Sequence, residues 1–151
     1  MRIWVDADAC PGAVKEIVMR AAEKRRVQAL FVADRWVPLP ASPFLAYVSV
    51  PPGPDSADQH IAEASAPGDV AVTQDIPLAA ILVKKGVDAI DPRGTVHTPE
   101  TIGERLSMRN FMSDLRGAGV ETGGPAPFGP KDRQRFAEGF DRVLTKRLRG
   151  G

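Results

Sequence analysis

Asp6 and Asp8 stand two residues apart at the end of an apolar run, Ile3-Trp4-Val5-Asp6-Ala7-Asp8-Ala9-Cys10-Pro11-Gly12. Carboxylates so placed can hold a cation or face a phosphorylated substrate. The carboxyl end of a buried parallel strand is the edge at which open α/β sheets bind ligands, and an acid two residues on can point into the same space. Buried strands are apolar and unpaired carboxylates are costly to bury, so this end of the strand is expected to face solvent, a cation or a charged substrate. The plain alternative is that Asp6 caps a turn and Asp8 caps the following helix.

Asp75 and Asp58 extend the set. Asp75 follows the apolar run Val70-Ala71-Val72-Thr73, and Asp58 opens a helix-patterned segment before it. Carboxyl ends of parallel strands share one edge, so Asp6, Asp8 and Asp75 can converge, joined by Asp58 from the top of its helix. Between Trp36 and Val83 no Lys or Arg occurs, whereas Asp55, Asp58, Glu63, Asp69 and Asp75 do. Clustered carboxylates are hard oxygen ligands suited to Mg²⁺ or Mn²⁺ rather than to zinc, which favours His and Cys. Such an ion polarises a phosphodiester and activates water. Taken alone, Asp75 reads equally well as a helix cap.

Arginines supply the complementary charge. Arg93, Arg109 and Arg133, with Arg105 and Arg135 beside them, are candidates for substrate phosphate because a guanidinium binds phosphate bidentately. Solvated helix faces explain the same residues. Cys10 precedes a helix start, where a thiol could become a thiolate, but neighbouring acids oppose this and a small packed cysteine is expected. His60 follows Asp58 closely, yet a lone histidine is read as a surface or hydrogen-bonded residue. The glycines around 117–124 match neither a Walker loop nor a dinucleotide fingerprint and are read as a loop.

The elements that must position these groups alternate. Helical spacing runs through Val14, Ile17, Val18, Ala21 and Ala22, with Pro11 in the first turn and Lys24-Arg25-Arg26 at the end. Strands are predicted at Ala29 to Ala33, Phe44 to Val50, Val70 to Thr73 and Val87 to Ile90, and helices at Asp55 to Ala64 and Ile76 to Lys85. Alternation over a hundred residues argues for a parallel sheet with right-handed crossovers. Thr98 is the expected cap of a further helix whose stripe Met108, Phe111, Met112 and Leu115 should pack on the sheet. A last helix near Pro130 carries Phe136, Phe140, Val143 and Leu144 toward the core.

At 151 residues and 43% hydrophobic composition the chain can bury one core and is short for two. One domain spanning 1–151 is expected, with a loop at 116–130 and a basic helix at 131–149. The net charge of +1 names no partner, although the last helix holds seven basic and three acidic residues against the acidic middle. A single cysteine excludes an internal disulfide. No stretch reads as a signal peptide or membrane span, so a cytoplasmic location without membrane association is expected. Oligomeric state is left open.

Taken together, the first-strand motif through Pro11, Ala57-Asp58-Gln59-His60-Ile61, Pro67-Gly68-Asp69, Thr73-Gln74-Asp75-Ile76-Pro77-Leu78-Ala79, Asp91-Pro92-Arg93-Gly94 and Met108-Arg109 resemble the YaiI/YqxD family of uncharacterised bacterial proteins. The likeness continues through Gly123-Gly124-Pro125 and Asp132-Arg133-Gln134-Arg135-Phe136 and so covers nearly the whole chain. The family is regarded as PIN-like, which implies a three-layer α/β/α fold with a mainly parallel central sheet and C-terminal helices. It also implies the acids of a Mg²⁺- or Mn²⁺-dependent ribonuclease. Asp6 then resembles the first-strand acid, Asp58 the mid-chain helical acid and Asp75 the acid after the later strand; Asp8 belongs to the family's own motif, and Asp91 is a further possibility.

The leading expectation is a metal-dependent nuclease acting on RNA, with Asp6, Asp8, Asp58 and Asp75 as catalytic and metal-holding residues. One alternative is a phosphatase resembling the haloacid dehalogenase group, in which Asp6 is the nucleophile and Asp8 the general acid. Cys10 and the lack of a later Lys-associated acidic pair fit that opening poorly. A further alternative is a non-catalytic RNA-binding or regulatory module, although nine aromatic residues leave little for a stacking platform.

Overall fold

Successive residues of the first strand enter different cores, as a two-residue side-chain period requires. In β1 (Ile3–Asp6), Ile3 and Val5 join one buried cluster and Trp4 joins another on the opposite face. The computed structural model describes residues 1–124 and 126–150. Pro125 of the Gly123-Gly124-Pro125 motif and Gly151, the last residue of the expected domain, lie outside the described residues.

The other strands are β2 (Ala29–Ala33), β3 (Leu45–Ser49), β4 (Val70–Val72), β5 (Asp88–Ile90) and β6 (Val96–His97). Their order across the sheet is β3-β2-β1-β4-β5-β6. All neighbours are parallel except β5 and β6. The antiparallel edge was not foreseen, because Val96 and His97 are too few for a periodic signal.

Helices α1 (Gly12–Arg25) and α5 (Pro130–Gly150) cover the face that carries Ile3, Val5, Phe31 and Val72. Helices α2 (Ser56–Ala64) and α3 (Ile76–Lys85) cover the Trp4 face, which also carries Val32, Ala71 and Ala89. The result is the expected three-layer α/β/α arrangement. Among the described residues no helix is long and apolar enough to cross a membrane.

The stripe of α5 is core: Phe136, Phe140 and Leu144 are at most 1% exposed and Val143 is buried with them. Burying each such side chain contributes about 1.5–3 kcal/mol. The close passage of α5 depends on Gly94, where an added Cβ would lie 2.6 Å from the Arg135 carbonyl group. Gly94 also has φ +93°, a left-handed conformation that only glycine adopts without strain.

The stripe of α4 (Ile102–Gly117) behaves differently from expectation. Met108 and Phe111 are 59% and 56% exposed, Met112 and Leu115 are half-buried, and no residue of the helix is buried. Both faces of the sheet are already covered, so α4 packs on α3 instead. Its cap is also corrected from Thr98 to Thr101, with Thr98 and Thr101 bonded to each other just before the first turn. Pro11 is the residue before α1 rather than inside its first turn.

Candidate active site

The chain leaves β1 toward α1 on one face and leaves β4 toward α3 on the other. Adjacent parallel strands whose connections diverge in this way open a crevice between their carboxyl ends. Asp6 ends β1, and Asp75 stands three residues beyond the end of β4. A cavity of about 540 Å³ lies there, and Asp6, Asp8, Asp58 and Asp75 all line it.

Each carboxylate is held differently. Asp6 is only 8% exposed although it lines the cavity, and its Oδ2 accepts the Thr73 hydroxyl at 3.2 Å. Burial raises its pKa, the Thr73 bond opposes this, and the Asp75 and Asp8 charges raise it further. Asp8 sits in a short turn, Ala7–Ala9, between β1 and α1. It does not cap α1; its Oδ2 accepts the backbone N–H of Asp34 at 2.8 Å. Asp75 does cap α3, accepting the Leu78 N–H on Oδ1 at 2.8 Å.

Asp58, in the first turn of α2, is the most perturbed of the four. Burial, a hydrogen bond shared with Asp75 and the charges of Asp75, Asp6 and Asp55 push its pKa up to about 7. Asp58 thus holds its proton up to near neutrality. The like charges create a site deficient in positive charge. Among the described residues no three Asp, Glu, His or Cys side chains are gathered into a ready-made metal group. The oxygen donors and their crowded negative charge fit a hard divalent cation, which keeps several waters when few protein ligands reach it.

Of the candidate phosphate contacts, Arg109 alone adjoins the acids. It lines a smaller cavity of about 330 Å³ together with Asp58, Asp75 and Asp55. Arg93 is instead bound to Asp132 at 3.0 Å and to the Ala126 carbonyl, tying the end of the sheet to the start of α5. Arg133 lines a separate, largely apolar groove with Ile17 and Phe128. Neither arginine lines a cavity that contains the acids. Asp91 is similarly occupied, accepting the backbone N–H groups of Arg93 and Thr95.

The sequence profile of the uncharacterised bacterial YaiI/YqxD family matches residues 4–146. The chain belongs to that family. A "UPF0178 protein" of Syntrophobacter fumaroxidans is 53% identical over 149 residues, covering 99% of this chain and 97% of the relative. One from Myxococcus xanthus is 55% identical over 146 residues, covering 97% and 95% respectively. One from Dechloromonas aromatica is 51% identical over 146 residues, covering 97% of each chain. No solved structure matches the chain.

In this YaiI/YqxD member the cavity also contains groups that sequence spacing did not single out. Asp34 and Arg35 enter it from the end of β2, and Gln74 enters from the loop after β4, its side-chain amide bonded to the Ala9 carbonyl. Arg35 is the only cation lining this cavity among the described residues. Position after a strand was the available signal, the same one that marked Asp6 and Asp75. The next residue, Trp36, is 71% exposed and packs edge-on to Tyr47 with ring centroids 5.0 Å apart.

The minor candidates take structural roles. Cys10 is buried, and burial pushes its thiol up to about 12, so it is not a thiolate at neutral pH. His60 packs against Trp4 at 5.8 Å between ring centroids, under the sheet rather than in the cavity. Asp69 is a fully used anchor: it accepts the Trp4 indole N–H at 3.0 Å and the backbone N–H groups of Arg2 and Ala66.

Proposed function

We propose that the protein is a Mg²⁺- or Mn²⁺-dependent nuclease that hydrolyses RNA phosphodiesters in the acid-lined cavity. The observation that carries this reading is the gathering of Asp6, Asp8, Asp58 and Asp75 around one opening at the carboxyl edge of the sheet, with Asp58 raised to about 7 by burial and by its acidic neighbours. A bound divalent ion would polarise the phosphodiester and lower the pKa of water.

The chain's own groups divide the remaining work. Asp6 and Asp75 are the acids for the ion, oriented by Thr73 and by the α3 N-terminus respectively. Asp8, bound to the Asp34 N–H, contributes negative charge at the mouth. Asp58, with a pKa near the working pH, is suited to take a proton from water or to give one to a leaving oxygen. Arg35 and Arg109 stand on two sides of the acids, where they can hold the backbone of a strand. The phosphatase alternative has less support, since no lysine lines either acid-containing cavity among the described residues.

The test is cleavage of a labelled single-stranded RNA by wild type, Asp6→Asn and Asp75→Asn, with Mn²⁺, Mg²⁺ or chelator. Loss of metal-dependent cleavage in both folded variants supports the assignment. Cleavage that survives in both variants comes from elsewhere and removes it.

A further inference from the structure

Asp58 and Asp75 line two cavities at once. One is the acid cavity at the carboxyl ends of β1 and β4; the other, of about 330 Å³, lies between α2, α3 and α4. The two spaces therefore meet at this carboxylate pair, and a strand that passes through the first can leave a nucleotide in the second. Each side brings one arginine, Arg35 in the larger cavity and Arg109 in the smaller.

The smaller cavity is built differently from its neighbour. Pro77, Leu78 and Ile81, which share a face of α3, make an apolar wall that Ala62 continues on α2. Ile81 is 54% exposed although Leu78, Ala79 and Leu82 around it are buried. A flat ring laid against this wall removes that surface from water. The volume is at the lower end of the ~300–1,000 Å³ of small-ligand sites, which is the scale of one base.

Arg109 supplies a second observation. It lines the same cavity as Asp55, Asp58 and Asp75, yet among the described residues it forms a salt bridge with none of them, and its side chain bonds only to neighbouring Asn110. The opening thus has a cationic side, an acidic side and an apolar wall, with a gap too wide for the charges to meet. A nucleotide unit matches all three. Its phosphate suits the guanidinium, its ring suits the wall, and an exocyclic amino group donates to an acid or amide oxygen. Asp55 is free for this, since its side chain does not cap α2, and Gln59 stands exposed one turn further on.

We propose that this cavity seats the nucleoside next to the scissile phosphate and favours bases with an exocyclic amino group, adenine above all, over uracil. The ring lies on Pro77 and Ile81, Asp55 and Gln59 read its edge, and Arg109 holds the phosphate beyond it. Adenine leads because a glutamine amide can both accept from and donate to its edge. The place beside a scissile phosphate rests on the nuclease reading; the choice of base does not.

The experiment measures binding of labelled oligo(rA) and oligo(rU) of equal length by fluorescence anisotropy, using the full chain with Asp6→Asn to hold off cleavage. Asp6 does not line this cavity. Oligo(rA) should bind about tenfold (~1.4 kcal/mol) more tightly than oligo(rU). Adding Ile81→Ser should weaken oligo(rA) about tenfold, and adding Asp55→Ala with Gln59→Leu should erase the difference between the two oligomers. All three positions are exposed, so the core is left intact. Absence of binding by either oligomer, or variants that bind both as their parent does, overturns the proposal. If the variants are silent while wild type still cleaves RNA with metal, the pocket falls and the nuclease reading stands. Base-selective binding that the variants abolish supports the pocket even where wild type shows no metal-dependent cleavage, and in that case the nuclease reading alone falls.

Discussion

Thr73 donates its hydroxyl to Asp6 Oδ2 at 3.2 Å, and the same hydroxyl oxygen accepts the Asp75 backbone N–H at 3.0 Å. One small side chain therefore sets the spacing of two acids that are far apart in sequence. Thr73→Val preserves shape but leaves the buried Asp6 carboxylate without that donor, which should cost about 1–3 kcal/mol. The Thr73 bond is also what restrains the rise in the Asp6 pKa. Urea unfolding at pH 7 checks this: an unchanged midpoint means that the bond contributes nothing.

Asp58 ties stability to pH. A folded-state pKa raised to about 7 favours folding below the unfolded value near ~4, and that contribution is lost as pH rises through 7. The full shift corresponds to about 4 kcal/mol. Asp58 is only half-buried and solvent screens its neighbours, so we expect only about 1 kcal/mol, or ~2–4 °C. Asp58→Asn should accordingly melt higher than wild type at pH 8 and no higher at pH 4. Equal melting temperatures at pH 8 would show that the crowding of Asp58 is relieved in solution.

A divalent cation would compete with the proton on Asp58. Under the metal-site proposal, Mn²⁺ raises the melting temperature of wild type more at pH 8 than at pH 6, and Asp6→Asn abolishes the increment. Thermal scans at fixed ionic strength measure it, and a pH-independent increment that persists in Asp6→Asn places the ion elsewhere.

Trp36 is exposed and follows Arg35, which lines the acid cavity, whereas Trp4 is buried. If single-stranded RNA enters there, a base stacks on Trp36 and quenches its fluorescence. Trp36→Ala should then weaken binding by about tenfold, within the ~1–3 kcal/mol of a base-aromatic contact. Arg35→Ala should also reduce the salt dependence of binding. Binding without quenching, and unaffected by either change, would direct the strand along another path.

Arg93 and Arg109 should separate cleanly. Arg93 is committed to Asp132, Ala126 and the ring of Phe128, so Arg93→Ala should lower thermal stability with little effect on RNA affinity. Arg109→Ala, at an exposed position beside Asp58, should do the reverse. Gly94→Ala should destabilise the protein by several kcal/mol, since its Cβ would meet α5 backbone at 2.6 Å in a strained conformation. Calorimetry and RNA titration on the three variants distinguish these roles.

Local pattern carried much of the architecture. Alternating apolar runs and helical stripes place β1, β2, β4, α1, α3 and α5 because each element buries a face whose period is written in consecutive residues. The same logic marked Asp6 and Asp75, acids placed just after apolar strands. It misread α4, whose Met108, Phe111, Met112 and Leu115 have a core-like spacing but remain at the surface. Periodicity records which residues share a helix face, not whether a sheet is left for that face to cover. Arg93 shows the same boundary: its charge is visible in sequence, while its partner Asp132 is brought to it only by the docking of α5.

By itself, then, the sequence determined family membership, the order of the elements and the acidic character of one sheet edge, because these depend on residue type and short spacing. Tertiary structure alone decided that Asp6, Asp8, Asp58 and Asp75 line a common cavity with Asp34 and Arg35, that Arg109 rather than Arg93 or Arg133 adjoins it, and that His97 is buried with Nδ1 unmatched. Those relationships arise where strands distant in sequence come to lie side by side. Only then do burial and neighbouring charge act on a side chain, and these are what push Asp58 to about 7.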